Sequence, residues 1–204
     1  MNVLLVVDIQ NDFLPSGALA VPDGDKVIPI INRLVEHFDL ILATQDWHPA
    51  NHGSFAANHP NRHPGEVIDF NGTMQILWPI HCVQESPGAD FSTQLRTDRF
   101  AKVFRKGVDP AIDSYSSFFD NARKRSTGLS DYLRERKINE LFICGLATDY
   151  CVKFSVLDST SLGIRTSVIA DACRGVNLKP DDSATAVAEM RKAGASIIES
   201  AELA

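Results

Sequence analysis

The chain has no long apolar run, no block of basic residues and no paired-cysteine motif. Its apolar opening, Val3 to Val7, ends at Asp8. That is far short of the roughly 20 residues a membrane span needs. No basic segment precedes it, so it reads neither as a secretory leader nor as an anchor. The net charge of −6 over 204 residues comes without a basic patch, which argues against nucleic acid or an anionic membrane as partner. Cys82, Cys144, Cys151 and Cys173 show no C-x-x-C spacing and read as free thiols in a reducing cytoplasm. No glycine-rich dinucleotide fingerprint or phosphate loop follows the first apolar run. No internal repeat, low-complexity tract or linker divides the chain. A hydrophobic content of 44% predicts one domain over residues 1–204.

What is present is an alternation. Val3–Val7 reads as a strand covered on both faces, Leu141–Cys144 as a buried strand, and Leu40–Ala43, Ala101–Phe104, Arg165–Ala170 and Ala195–Ile198 as further strands. Between them, apolar residues recur at helical spacing. One such set is Val27, Ile30, Ile31, Leu34, Val35 and Phe38; a short helix follows at Leu129 and Leu133. Another helix carries Val152, Ser155, Val156 and Ser159 and closes at Gly163. A last one opens at Pro180, with Ala184, Val187 and Ala188 on one face. This pattern predicts an α/β fold: an open six-stranded parallel sheet with helices on both faces. In such sheets ligands bind beyond the carboxyl ends of the strands. Asp8, Asp46, Lys106, the Gly145–Cys151 turn and Asp171 fall at five of those ends. Residues 47 to 91 show little periodicity and are too long for an idle connection.

Three sets of residues carry possible chemistry. The first is Asp8, Lys106 and Cys151. Cys151 starts a helix, where unpaired N–H groups favour thiolate; Asp8 could take its proton and Lys106 could hold Asp8 in place. The same three residues also suit a buried ion pair beside an inert thiol. The second set is Asp46, His48 and His81, with His52 nearby. One carboxylate and two imidazoles form a ligand set for zinc, iron or manganese; the alternative is a solvated loop that happens to hold five of the six histidines. His59 and His63 read as solvated. The third set is Phe13, Trp47, Trp78 and Tyr115, which suits either a pocket for a flat ring or ordinary loop packing.

Taken together, Asp8-Ile9-Gln10-Asn11-Asp12-Phe13, the segment from Asp46 to Phe55, Trp78-Pro79-Ile80-His81-Cys82, Lys106-Gly107 and the segment from Gly145 to Cys151 resemble the nicotinamidase/pyrazinamidase family of isochorismatase-like cysteine hydrolases. The resemblance covers nearly the whole chain. It implies a six-stranded, Rossmann-like three-layer fold and hydrolysis of nicotinamide, and of pyrazinamide, in NAD salvage. It carries a catalytic triad onto Asp8, Lys106 and Cys151. One divalent metal, zinc first, falls to Asp46, His48 and His81. It implies a cis peptide between Leu146 and Ala147, with the N–H groups of Ala147 and Cys151 aimed at an oxyanion. It assigns substrate contacts to Phe13, Leu19, Trp78 and Tyr115. The partner it implies is a small molecule, with self-association into a homo-oligomer left open. Related scaffolds host other small-amide hydrolases, and a thiol-based binding or redox protein is the other class the residues permit.

Overall fold

The computed structural model describes residues 1–203. Chain order is β1 (Val3–Val7), α1 (Ile28–Leu34), β2 (Leu40–Asp46), a hairpin of β3 (Val67–Phe70) and β4 (Thr73–Ile76), β5 (Phe100–Lys106), α2 (Leu129–Glu135), β6 (Glu140–Leu146), a π-helical turn (Thr148–Val152), α3 (Lys153–Ser161), β7 (Arg165–Arg174), α4 (Asp182–Lys192) and β8 (Ser196–Ile198). Six strands form one sheet in the order β5-β2-β1-β6-β7-β8, and every pairing in it is parallel. The expected α/β sheet is therefore present. β1 is buried at all five positions because its Val and Leu side chains are covered from both sides. The crossover rule for parallel strands puts α1 on one face and α3 and α4 on the other. No helix among the described residues is long and apolar enough to cross a membrane.

The strand order reverses direction between β1 and β6. Chains leaving those two neighbours turn to opposite faces, which opens a crevice at their carboxyl ends. Asp8 leaves β1 and the Thr148–Val152 turn leaves β6 at that point.

Three expectations from the sequence are corrected here. The segment 47–91 is not structureless: Val67 to Ile76 is an antiparallel hairpin outside the main sheet. Its two-residue loop, Asn71-Gly72, has positive φ at both residues (53° and 82°), the geometry that Asn-Gly supplies at least cost. On α4 the covered face is Ala186 and Met190 with Val187 half-buried, whereas Ala184 and Ala188 are exposed. Finally, β7 continues past Ala170 to Arg174, so Asp171 lies inside the strand. Its carboxylate accepts the Ser200 N–H (2.8 Å) and ties down the C-terminal turn.

Candidate active site

The site is assembled by strand ends. Asp46 and Lys106 are the last residues of β2 and β5 and are register partners, so their side chains emerge together. Asp8 follows β1 with φ 49°, a left-handed conformation in which Asp is among the more tolerant residues. All three side chains are buried.

Lys106 is the hub. Its Nζ lies 2.9 Å from Asp8 Oδ2, 3.3 Å from Cys151 Sγ and 3.1 Å from the Ser114 carbonyl, and it donates to Asp46 Oδ1 in a short contact. Burial works against its charge, but the Asp46 and Asp8 carboxylates outweigh that and hold the ammonium well above its ordinary value. Asp8 Oδ1 accepts the Thr44 hydroxyl (2.6 Å). Asp8 Oδ2 is buried and, among the described residues, has the Lys106 ammonium beside it but no geometrically formed hydrogen bond. A carboxylate oxygen of Asp8 and the Cys151 sulfur lie within 4.8 Å of each other. Burial raises Asp8, with Lys106 opposing, so it is a stronger base than an ordinary carboxylate.

Cys151 sits in the π-helical turn ahead of α3, close to the helix start expected from the sequence. The expected thiolate is not what its surroundings favour. Burial is the largest influence and pushes the thiol well above its ordinary value, and Lys106 only partly offsets it. The thiol therefore keeps its proton until a base takes it. The Leu146–Ala147 peptide is cis. Tyr150 and Val152 both donate to the Ala147 carbonyl (3.1 and 3.0 Å). Among the described residues the Ala147 N–H makes no hydrogen bond.

Asp46, His48 and His81 converge on one point. Their donor atoms lie within 4.8 Å of one another, and Asp46 Oδ2 is 3.6 Å from His48 Nε2 and 4.0 Å from His81 Nε2. His48 Nδ1 meets the Gly107 carbonyl at 2.9 Å and His81 Nδ1 meets the Pro79 carbonyl at 2.8 Å. Each ring thus spends its Nδ1–H on backbone and turns its Nε2 lone pair inward, the arrangement that orients metal-bound imidazoles. Burial, reinforced by His48, pushes His81 down to about 4, so its lone pair is free at neutral pH. Burial opposes a charge on His48 too, but there the Asp46 carboxylate outweighs it and holds the imidazole above its ordinary value. One carboxylate and two imidazoles with their Nε2 atoms at one point fit a divalent cation. Gly107 is required here: its φ is +65°, and an added Cβ would stand 2.3 Å from His48 Cε1.

Phe13, Leu19, Trp78 and Tyr115 all line one cavity of about 410 Å3, open mouth included, together with Cys151 and the Asp46–His48–His81 donors. Phe13 packs on His81 with ring centroids 5.6 Å apart. Trp78 Nε1–H donates to the Tyr115 hydroxyl at 3.1 Å.

Other candidates lie outside this cavity. Trp47 is covered by the Arg105 guanidinium, 3.8 Å above its ring. His59 bonds the Gly53 carbonyl and His63 is exposed. His52 is buried behind His48, ring centroids 4.3 Å apart, with Nδ1 on Ser54 Oγ (2.7 Å) and Nε2 without a hydrogen-bond partner among the described residues.

Several residues escaped the sequence reading. Gln10 clamps Asp46 through both its backbone groups, at 2.8 Å each. Thr44 faces Asp8. Thr44 lies two positions before Asp46 on β2, so the period of two could have shown it, whereas Gln10 follows a tight turn at Asp8 and carries no such signal. Asp113, Tyr150 and Val176 reach the cavity from irregular or distant segments, and no periodicity signals them.

Similarity to known proteins agrees with this arrangement. The isochorismatase domain family matches residues 2–202. A nicotinamidase from Escherichia coli is 51% identical over 200 residues, covering 96% of this chain and 93% of that protein. Among solved structures, a nicotinamidase/pyrazinamidase of Acinetobacter baumannii superposes with a TM-score of 0.96 at 43% identity, covering 100% of this chain and 98% of that one. The pyrazinamidase of Pyrococcus horikoshii, solved in complex with zinc, gives 0.78 at 37% identity, covering 97% and 98%. The chain belongs to the isochorismatase family, within its nicotinamidase/pyrazinamidase branch.

Proposed function

We propose that this protein is a nicotinamidase, an amidohydrolase that converts nicotinamide, and pyrazinamide, to the carboxylate and ammonia through a thioester on Cys151, serving NAD salvage in the cytoplasm. The unit that does this is one isochorismatase-like domain over residues 1–204, and its partner is the small-molecule substrate. The observation that carries the reading is a single cavity onto which both the Cys151 thiol and the Asp46–His48–His81 donors open.

The chemistry follows from these positions. The flat amide lies among Phe13, Leu19, Trp78 and Tyr115. Asp8 Oδ2 takes the Cys151 proton, and the sulfur attacks the amide carbon. The N–H groups of Ala147 and Cys151 receive the oxyanion; one such donor is worth roughly 3–4 kcal/mol of transition-state stabilisation. Asp8 then gives its proton to the departing ammonia. It next takes a proton from the water that cleaves the thioester, and returns it to the Cys151 sulfur as the acid leaves. Lys106 stays protonated and keeps Asp8 in place. Asp46, His48 and His81 would hold one divalent cation, zinc first and iron or manganese next. Such an ion supplies a Lewis acid for the ring nitrogen and withdraws electron density from the carboxamide.

Ammonia release from nicotinamide, beside a panel of other small amides, tests the reading. Turnover of nicotinamide and pyrazinamide is expected. Efficient turnover of an unrelated amide with none of nicotinamide would reassign the substrate.

A further inference from the structure

Asp149 is a buried carboxylate two residues from Cys151, and none of the steps above uses it. Its two oxygens accept consecutive backbone N–H groups from a distant loop: Oδ1 takes Val176 N–H at 2.9 Å and Oδ2 takes Asn177 N–H at 2.7 Å. The loop is gripped from its other side as well. Asn177, at φ 53°, accepts the Ser183 N–H (3.0 Å) and hydroxyl (2.7 Å) at the start of α4. Gly175 passes so close that an added Cβ would lie 2.0 Å from Ser183 Oγ and 3.1 Å from Asp149 Oδ1. Between these grips stands Val176, half-buried, whose side chain lines the substrate cavity with Ala147 and Cys151.

Resting on the nicotinamidase reading, we infer that Asp149 is a positioning residue that fixes the Val176 wall of the cavity and so sets how tightly the ring of the amide is held. A carboxylate suits this task. It has two oxygens for two adjacent N–H groups, and charge-assisted bonds are roughly twice as strong as neutral ones. Asn in its place keeps one acceptor and turns a donor toward the second N–H. Asp149 thereby ties the turn that presents the sulfur to the loop that carries Val176.

Steady-state kinetics with nicotinamide on wild type, Asp149→Asn, Asp149→Ala and Val176→Ala, together with iodoacetamide alkylation of Cys151, decide the point. For Asp149→Ala, KM should rise about tenfold while kcat stays within about threefold, the signature of lost uniform binding. Asp149→Asn should fall between it and wild type, and alkylation should change less than about twofold. Val176→Ala keeps both backbone bonds and should raise KM on its own, so the inference stays testable if Asp149→Ala does not fold. Unchanged KM in Val176→Ala overturns it. So does a joint fall of kcat and alkylation at constant KM in the Asp149 variants, which would make Asp149 a support of the nucleophile turn alone. Wild-type protein that releases no ammonia from nicotinamide overturns the underlying reading, and the inference with it.

Discussion

At the scale of the residue, the site depends on one ammonium shared by two carboxylates and a thiol. Cys151→Ala should abolish ammonia release, by at least about 10^4-fold, because among the described residues no other thiol lines the cavity. Circular dichroism and the melting curve should stay close to wild type, since Ala fits a helix start. Asp8→Asn should cost about 10^2–10^4 in kcat, the usual worth of a positioned base. Alkylation of Cys151 near neutral pH should slow with it, because the buried thiol has lost its proton acceptor. The pH profile carries the same signature. Asp8 acts as base only when deprotonated, and burial raises it above 3.8. Activity should therefore fall with decreasing pH already above the ordinary carboxylate range, and kcat/KM measured against pH reads this limb directly. The roles proposed for Asp8 and Lys106 came with the family resemblance, and their strand-end positions could be drawn from the sequence. The state of the thiol could not: a helix start predicts acidification, and only the three-dimensional surroundings show that burial dominates.

At the scale of the element, the central strand β1 was legible because burial on both faces leaves an unbroken run of Val and Leu. Elements with mixed faces were harder. The β3–β4 hairpin has half-exposed strands and no core-facing stripe, so periodicity missed it, although Asn71-Gly72 states the turn outright. On α4, alanines occur on both the covered and the open face, so Ala184 and Ala188 marked the wrong one; Met190 distinguishes the two. The exit of β5 illustrates how an element's end serves the site. Gly107→Ala forces a side chain into a left-handed position, at about 1–2 kcal/mol, and drives Cβ into the His48 ring. A lower melting temperature and weaker metal retention are expected together, measurable by thermal denaturation and by metal analysis after dialysis.

At the scale of the whole molecule, strand order decides which residues meet. Asp8 and Cys151 are 143 positions apart in sequence, yet they meet because β1 and β6 are neighbours where the sheet changes direction. The alternation of strands and helices gives the sheet, and the strand ends give Asp8, Asp46, Lys106 and Cys151. What stays hidden is the contribution of irregular segments, such as Asp113 and Val176, whose placement depends on tertiary contacts alone. Two sites share one cavity, so removing metal and removing the thiol should have different consequences. His81→Ala should weaken metal binding by at least about 100-fold, given that even a ligand's outer partners are worth about 10–100-fold. It should raise KM and lower kcat for nicotinamide, with much less effect on Cys151 alkylation, whereas His59→Ala and His63→Ala should leave both unchanged. The central claim is a covalent thioester on Cys151, and hydroxylamine trapping tests it most directly. Nicotinamide is incubated with the protein and increasing hydroxylamine, and nicotinate and nicotinohydroxamate are separated and counted. The expected result is hydroxamate formed at the expense of nicotinate by wild type, and neither product above background from Cys151→Ala. Nicotinate and ammonia appearing with no hydroxamate at any hydroxylamine concentration, or appearing equally in Cys151→Ala, would contradict it.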